Sequence, residues 1–68
     1  MRRAVADAVR QARAQRGWTQ SVLAEKAGVS RPTIARIEGG QDVRMATLQQ
    51  VLSCLHIEIV STSTVEDR

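Results

Sequence analysis

The sequence predicts a mostly α fold, in which a domain of four helices over residues 1–56 is followed by a single β-strand. Apolar residues recur at helical spacing in four segments of the domain. Glycine follows each of the first three segments, as is common where helices end. After His56 the composition shifts to β-branched residues that alternate with polar ones, which is typical of a strand. The 68 residues correspond to one small domain.

The first two helices are predicted over residues 3–16 and 19–27, because the apolar side chains of each segment fall on one face. Gly17 is expected to end the first helix and Gly28 the second, since glycine readily adopts the left-handed conformation found after helices. Thr19 is a good N-cap for the second helix, because its hydroxyl can accept a hydrogen bond from a free backbone N–H.

The third and fourth helices are predicted over residues 31–38 and 45–55. Ser30 is the expected N-cap of the third helix, and the glycine pair at 39–40 is expected to end it. The fourth helix is the most apolar of the four. These short segments together supply the predicted core.

Residues 57–65 are predicted to form the strand, and residues 66–68 a flexible end. A lone strand exposes an unpaired edge that favours association with another strand. We therefore expect it to pair with the same strand of a second copy, with Ile57, Ile59 and Val60 in the interface. Such pairing produces a twofold dimer.

Charge is unevenly distributed along the sequence. Residues 1–44 carry nine basic and four acidic side chains, a net charge of +5, and residues 45–68 carry one basic and three acidic ones, a net charge of −2. A basic region of this kind is expected of a protein that binds a polyanion. Charge alone does not separate that role from an ordinary solvated basic surface.

Composition argues against several classes of protein. One Cys and one His supply neither an internal disulfide nor a closed zinc site, so we expect no metal or cofactor. Cys54 and His56 have no orienting partner and no phosphate-binding loop is present, so we expect no enzyme. The apolar runs are too short for a membrane span or a signal peptide, which predicts a cytoplasmic protein without a membrane partner.

The spacing of small and branched residues from Gln20 onward predicts a helix-turn-helix. Counting Gln20 as the first position, Ala24 is fifth, Gly28 ninth, Ile34 fifteenth and Ile37 eighteenth. A small residue lets the two helices cross closely, glycine permits the turn, and the two isoleucines bury the inner side of the second helix. Its outer side is then available to enter the major groove of DNA. The alternative is a small helical bundle that has these residues by chance.

Three segments, at residues 17–20, 23–30 and 33–40, resemble the Xre-type, or lambda-repressor-like, DNA-binding family. Residues 47–55 resemble the next helix of that family. Residues 43–59 are similar to the HipB-like antitoxin branch, in which a C-terminal strand replaces the fifth helix of phage repressors. The resemblance implies a lambda-repressor-like domain that binds double-stranded DNA. The predicted twofold dimer would present two recognition helices one turn of DNA apart, so the operator is expected to be an inverted repeat.

The resemblance also implies roles for individual residues. The positions expected to contact bases are Arg31, Pro32 and Arg36. Those expected to contact phosphates are Gln20, Ser30, Thr33, Gln41 and Arg44.

Five further positions have structural interpretations. Arg13 and Glu38 match a buried ion pair. Arg10 and Arg16 are assigned to the solvated surface. His56 stands where the family usually has Gly, so a strained positive φ is expected there.

The HipB-like branch implies a dimeric repressor that is also an antitoxin. It would autoregulate its operon and neutralise a HipA-like serine/threonine kinase. A stand-alone Xre-type regulator and the antitoxin of an RNase-type toxin are alternatives, and an interaction-only helical module is a third. Arg31 and Arg36 argue against the last of these.

Overall fold

The computed structural model describes residues 2–57, and the side chains of residues 3–57. These residues form four helices in sequence order: α1 (Arg2–Gln15), α2 (Gln20–Ala27), α3 (Arg31–Glu38) and α4 (Met45–Cys54). The predicted four-helix, mostly α architecture is confirmed, with every boundary within one residue of the prediction. Apart from Ile57, the predicted strand at 57–65 and the tail at 66–68 lie outside the described residues.

The core forms where all four helices meet. Val9 of α1, Leu23 of α2, Ile34 of α3 and Val51 of α4 are completely buried, and Leu55 is 2% exposed. Helix α3 packs against both α1 and α2, and α4 packs against α2. Burial of one such aliphatic side chain stabilises a fold by roughly 1.5–3 kcal/mol. These contacts fix the inner side of α3 and leave its outer side exposed.

Two of the helices begin with a side-chain cap. The Thr19 hydroxyl accepts a hydrogen bond from the Val22 N–H at 3.1 Å, and the Ser30 hydroxyl accepts one from the Thr33 N–H at 3.3 Å. Both caps have extended backbone, as their sequence positions predict. Helix α4 begins after Arg44, which forms no side-chain capping bond.

All four helices end with the same backbone motif. In each, one N–H reaches back five residues and the preceding N–H reaches back three, which is the Schellman arrangement. The residue whose N–H reaches back three is left-handed in each case: Gly17, Gly28, Gly40 and His56, with φ of 70°, 75°, 78° and 59°. After three of these residues, an apolar side chain packs against the core: Trp18, Val29 and Ile57.

His56 is the one non-glycine residue with positive φ between residues 2 and 57. A β-carbon at this φ crowds the following carbonyl oxygen and costs about 1–2 kcal/mol. The Ile57 N–H nevertheless donates to the Leu52 carbonyl at 2.8 Å, so the motif forms despite the strain.

Candidate nucleic-acid interface

The residues expected to contact DNA lie at the starts of α2 and α3, on α3 and in the loop that follows it. Ile34 and Ile37, which are 0% and 3% exposed, occupy the inner side of α3. The outer residues are therefore accessible to solvent. Exposed members are Ser30, Arg31, Pro32, Arg36, Gln41 and Arg44, and half-buried members are Gln20 and Thr33. We call these eight residues the α2–α3 face.

Two pairs within the α2–α3 face are in direct contact. The Arg31 Nη1 donates to the Gln20 Oε1 at 3.1 Å, which joins the start of α3 to the start of α2. The Ser30 and Thr33 hydroxyl oxygens are 2.8 Å apart and share a hydrogen bond. These contacts bring one predicted base-reading residue and three predicted phosphate contacts to neighbouring helix N-termini.

Arg36, Gln41 and Arg44 lie at the other end of α3 and beyond it. The Gln41 N–H donates to the Arg36 carbonyl at 2.9 Å, so the loop after α3 starts from a fixed position. In the part of the chain that the structure describes, the Arg36 and Arg44 side chains form no hydrogen bond or ion pair. Two exposed guanidinium groups are thus available to an anionic ligand.

Arg13 and Glu38 form an ion pair between α1 and the end of α3. The Arg13 Nε lies 2.6 Å from the Glu38 Oε2, and the Arg13 Nη2 lies 3.0 Å from the Glu38 Oε1. The Arg13 Nη1 donates to the Trp18 carbonyl at 2.9 Å. The two side chains are 19% and 6% exposed, so the pair is largely removed from water.

The environment of Glu38 favours its ionised form. Burial alone raises the pKa of its carboxyl group, but hydrogen bonds from Arg13 and Gln20 act in the opposite direction, as do the charges of Arg13 and Arg10. The net result is a Glu38 pKa below its ordinary value. The hydrogen bond to Glu38 raises the pKa of Arg13, and partial burial opposes this.

Arg10 and Arg16 are exposed, in agreement with their assignment to the solvated surface, and each also donates to a helix C-terminus. The Arg10 Nη2 donates to the Glu38 carbonyl at 2.8 Å, and the Arg16 Nη2 donates to the Leu55 carbonyl at 3.0 Å. Both carbonyls lie at helix C-termini, where cations are favourable. No local sequence signal marks either contact, because each acceptor is a backbone carbonyl far along the chain.

Gln20 also has a contact that the sequence does not reveal. Its Nε2 donates to the Glu38 Oε1 at 3.1 Å. The ion pair and the α2–α3 face therefore meet at one amide group.

Residues 2–57 contain no helix with the length and hydropathy needed to cross a bilayer. Nor do these residues bring three or more His, Cys, Asp or Glu side chains together in a group that could hold a metal ion.

Helices α2 and α3 are joined by a three-residue turn, and α3 has a buried inner side and a cationic outer side. This arrangement defines a helix-turn-helix protein. The family model described as "Helix-turn-helix" matches residues 9–61. The chain belongs to this Xre-like helix-turn-helix family.

Two curated relatives are similar to the chain. It is 36% identical over 56 residues to "Antitoxin HipB" of Escherichia coli (strain K12), across 81% of the chain and 64% of that protein. It is also 36% identical over 56 residues to "Antitoxin HipB" of Escherichia coli O6:H1 (strain CFT073), across 81% of the chain and 60% of that protein. The matched region thus spans less than two thirds of either relative's length.

Proposed function

We propose that the protein binds double-stranded DNA sequence-specifically through α3. The observation that carries this proposal is the two-sided character of the helix, with Ile34 and Ile37 buried and Arg31 and Arg36 exposed. A guanidinium group can donate two hydrogen bonds to the major-groove edge of guanine. Arg31 and Arg36 are the base-reading residues, and Pro32 provides apolar contact with a thymine methyl.

The surrounding residues of the α2–α3 face hold the DNA backbone. Gln20 and Ser30 begin α2 and α3, where backbone N–H groups and the helix dipole favour a phosphate. Thr33 adds a hydroxyl, and Gln41 and Arg44 contact the backbone from the loop after α3. The net charge of +5 over residues 1–44 supports this electrostatic role.

The protein acts as a dimer formed by residues 57–65, with residues 66–68 as a flexible end. Ile57, Ile59 and Val60 form the interface, beside the helix-turn-helix domain of residues 1–56. A twofold dimer presents two recognition helices about 34 Å apart, which suits an inverted-repeat operator. Light scattering at micromolar concentration tests the dimer, and a monomer mass refutes it.

In the cell the protein is a repressor and the antitoxin of a toxin–antitoxin pair. It autoregulates its operon in the cytoplasm and neutralises a HipA-like kinase by direct contact. Similarity to HipB antitoxins supports this proposal. The net charge of −2 over residues 45–68 is opposite in sign to that of residues 1–44, which leaves a part of the chain suited to contact with another protein.

DNA recognition is tested with a duplex selected by the wild-type protein from a randomised library. Arg31→Ala and Arg36→Ala should each reduce discrimination between this duplex and a scrambled one by roughly 5- to 150-fold, equivalent to about 1–3 kcal/mol. Lys26→Ala removes one positive charge outside the α2–α3 face and is the matched control. Unchanged discrimination in the folded double variant R31A/R36A refutes the assignment.

The antitoxin role is tested by affinity purification of the tagged protein from its native cells. Recovery of a HipA-like kinase supports the proposal. Recovery of an RNase instead identifies an antitoxin of the other type. If no toxin is recovered and no toxin-like gene is adjacent, the protein is a stand-alone regulator.

A further inference from the structure

Glu38 is connected to Arg31 through one side chain. The Glu38 Oε1 accepts from the Gln20 Nε2 at 3.1 Å, and the Gln20 Oε1 accepts from the Arg31 Nη1 at 3.1 Å. Glu38 is buried and Arg31 is exposed. These two hydrogen bonds connect Glu38 in the interior of the domain to Arg31 on the α2–α3 face through Gln20.

The ionised state of Glu38 decides which way the Gln20 amide points. A carboxylate only accepts hydrogen bonds, so it selects the NH₂ end of the amide and turns the oxygen toward Arg31. Arg13 keeps Glu38 in place with contacts of 2.6 and 3.0 Å. Gln20 therefore presents Arg31 with an acceptor, which restricts the otherwise flexible guanidinium group.

The contact with Glu38 leaves Gln20 available to DNA. An amide nitrogen carries two N–H donors, and the structure shows one of them directed to Glu38. The second can donate to a phosphate while the oxygen still holds Arg31. One side chain thus joins backbone contact to base reading.

We propose that Glu38 is a positioning residue for DNA recognition, which orients Arg31 through Gln20. This inference rests on the proposed DNA-binding function. Glu38 touches no DNA in this role; it sets the direction from which Arg31 reaches a base edge. Preorganising a recognition side chain reduces the entropy lost on binding.

The test is a double-mutant cycle read as discrimination between the selected and scrambled duplexes. Glu38→Gln should lower discrimination about tenfold, which corresponds to about 1.4 kcal/mol. In an Arg31→Ala background, the same change should lower it no further, because Glu38 acts through Arg31. A folded E38Q variant with unchanged discrimination, or an equal loss in both backgrounds, overturns the proposal.

Loss of stability must be distinguished from loss of positioning. Val51→Ala creates a cavity in the core away from the α2–α3 face and should leave discrimination unchanged in the folded protein. If E38Q does not fold, Gln20→Met interrupts the connection while keeping the ion pair. This variant should weaken binding to both duplexes through the lost phosphate contact and reduce discrimination only when Arg31 is present.

A measurement without DNA separates this proposal from the proposed function. In heteronuclear NMR spectra, E38Q should shift the side-chain amide protons of Gln20, whereas Glu25→Gln should leave them in place. Unshifted Gln20 protons in folded E38Q overturn the positioning role. Absence of duplex discrimination by the wild-type protein instead overturns the DNA-binding function, and the recognition role of Glu38 with it.

Discussion

Replacing Arg13 with methionine tests how far the ion pair stabilises the domain. The substitution leaves the Glu38 carboxylate, with 6% of its side chain exposed, without its ionic partner. Gln20 continues to donate one hydrogen bond, and Arg10 remains nearby through its contact with the Glu38 carbonyl. Breaking a buried pair costs about 3–5 kcal/mol, so these remaining contacts place the expected loss near 3 kcal/mol.

The size of this loss is large for so short a chain. At roughly 0.05–0.15 kcal/mol per residue, a domain of this length has a free energy of unfolding of about 3–10 kcal/mol. Arg13→Lys is the milder variant, because lysine keeps the charge but not the paired contacts to both carboxylate oxygens. It should cost about 1–2 kcal/mol and remain folded.

A double variant separates the ion pair from the space it fills. Arg13→Met combined with Glu38→Leu removes both charges and restores apolar packing, so its stability should return to within about 1 kcal/mol of wild type. The measurement is urea unfolding followed by circular dichroism at one protomer concentration. Arg3→Met, at an exposed position of α1, should change stability by less than about 0.5 kcal/mol. A loss below about 1 kcal/mol in R13M, or additive losses in the double variant, would contradict the reasoning.

Three further variants test the charge, the strain and the cap. The pKa of Glu38 is lower in the folded protein than in the unfolded chain, so its stabilising contribution is complete above about pH 4.3 and is lost as the pH falls through the folded value. In urea titrations at decreasing pH, E38Q should therefore lose less of its free energy of unfolding than the wild-type protein. His56→Gly should raise the melting temperature, since relief of the positive φ gives about 0.5–1 kcal/mol after the added chain entropy of glycine. Ser30→Ala should lower the free energy of unfolding by about 0.5–1 kcal/mol in urea, because the Thr33 N–H loses the Ser30 hydroxyl and keeps only the Ser30 carbonyl, at 3.1 Å, as acceptor.

Matched variants control these three predictions. Glu25→Gln removes an exposed carboxylate and should leave the acid-induced loss as it is in wild type. Gly17→Ala places a β-carbon at a φ of 70° and should destabilise the protein, opposite to H56G. Ser21→Ala changes an exposed serine within α2 and should have little effect. Equal effects in a variant and its control would show that the named contact is not responsible.

The helices follow closely from local sequence, because the signals that begin and end them are local. Thr19 and Ser30 are caps whose bonding partners lie three residues ahead, and the glycines at 17 and 28 allow left-handed turns. His56 ends α4 in the same left-handed conformation although it is not a glycine. Its position in the motif requires positive φ even though its side chain disfavours it.

The side-chain contacts between helices are harder to anticipate. Arg10 reaches a carbonyl 28 residues away and Arg16 one 39 residues away. Neither contact leaves a local pattern, because the acceptors are backbone atoms that any residue type provides. The Gln20–Glu38 bond is equally hidden, since a glutamine at a helix start serves a phosphate, a carboxylate or both.

The turn between α2 and α3 has no spare residue. Its three positions are Gly28, which supplies the left-handed conformation, Val29, which packs on the core, and Ser30, which caps α3. An inserted or deleted residue therefore breaks one of these contacts or rotates α3 by about 100° about its own axis. Such a rotation turns Ile34 and Ile37 away from the core. The length of this turn is consequently as specific to the protein as any side chain, and we expect natural and designed variants to change its composition but not its length.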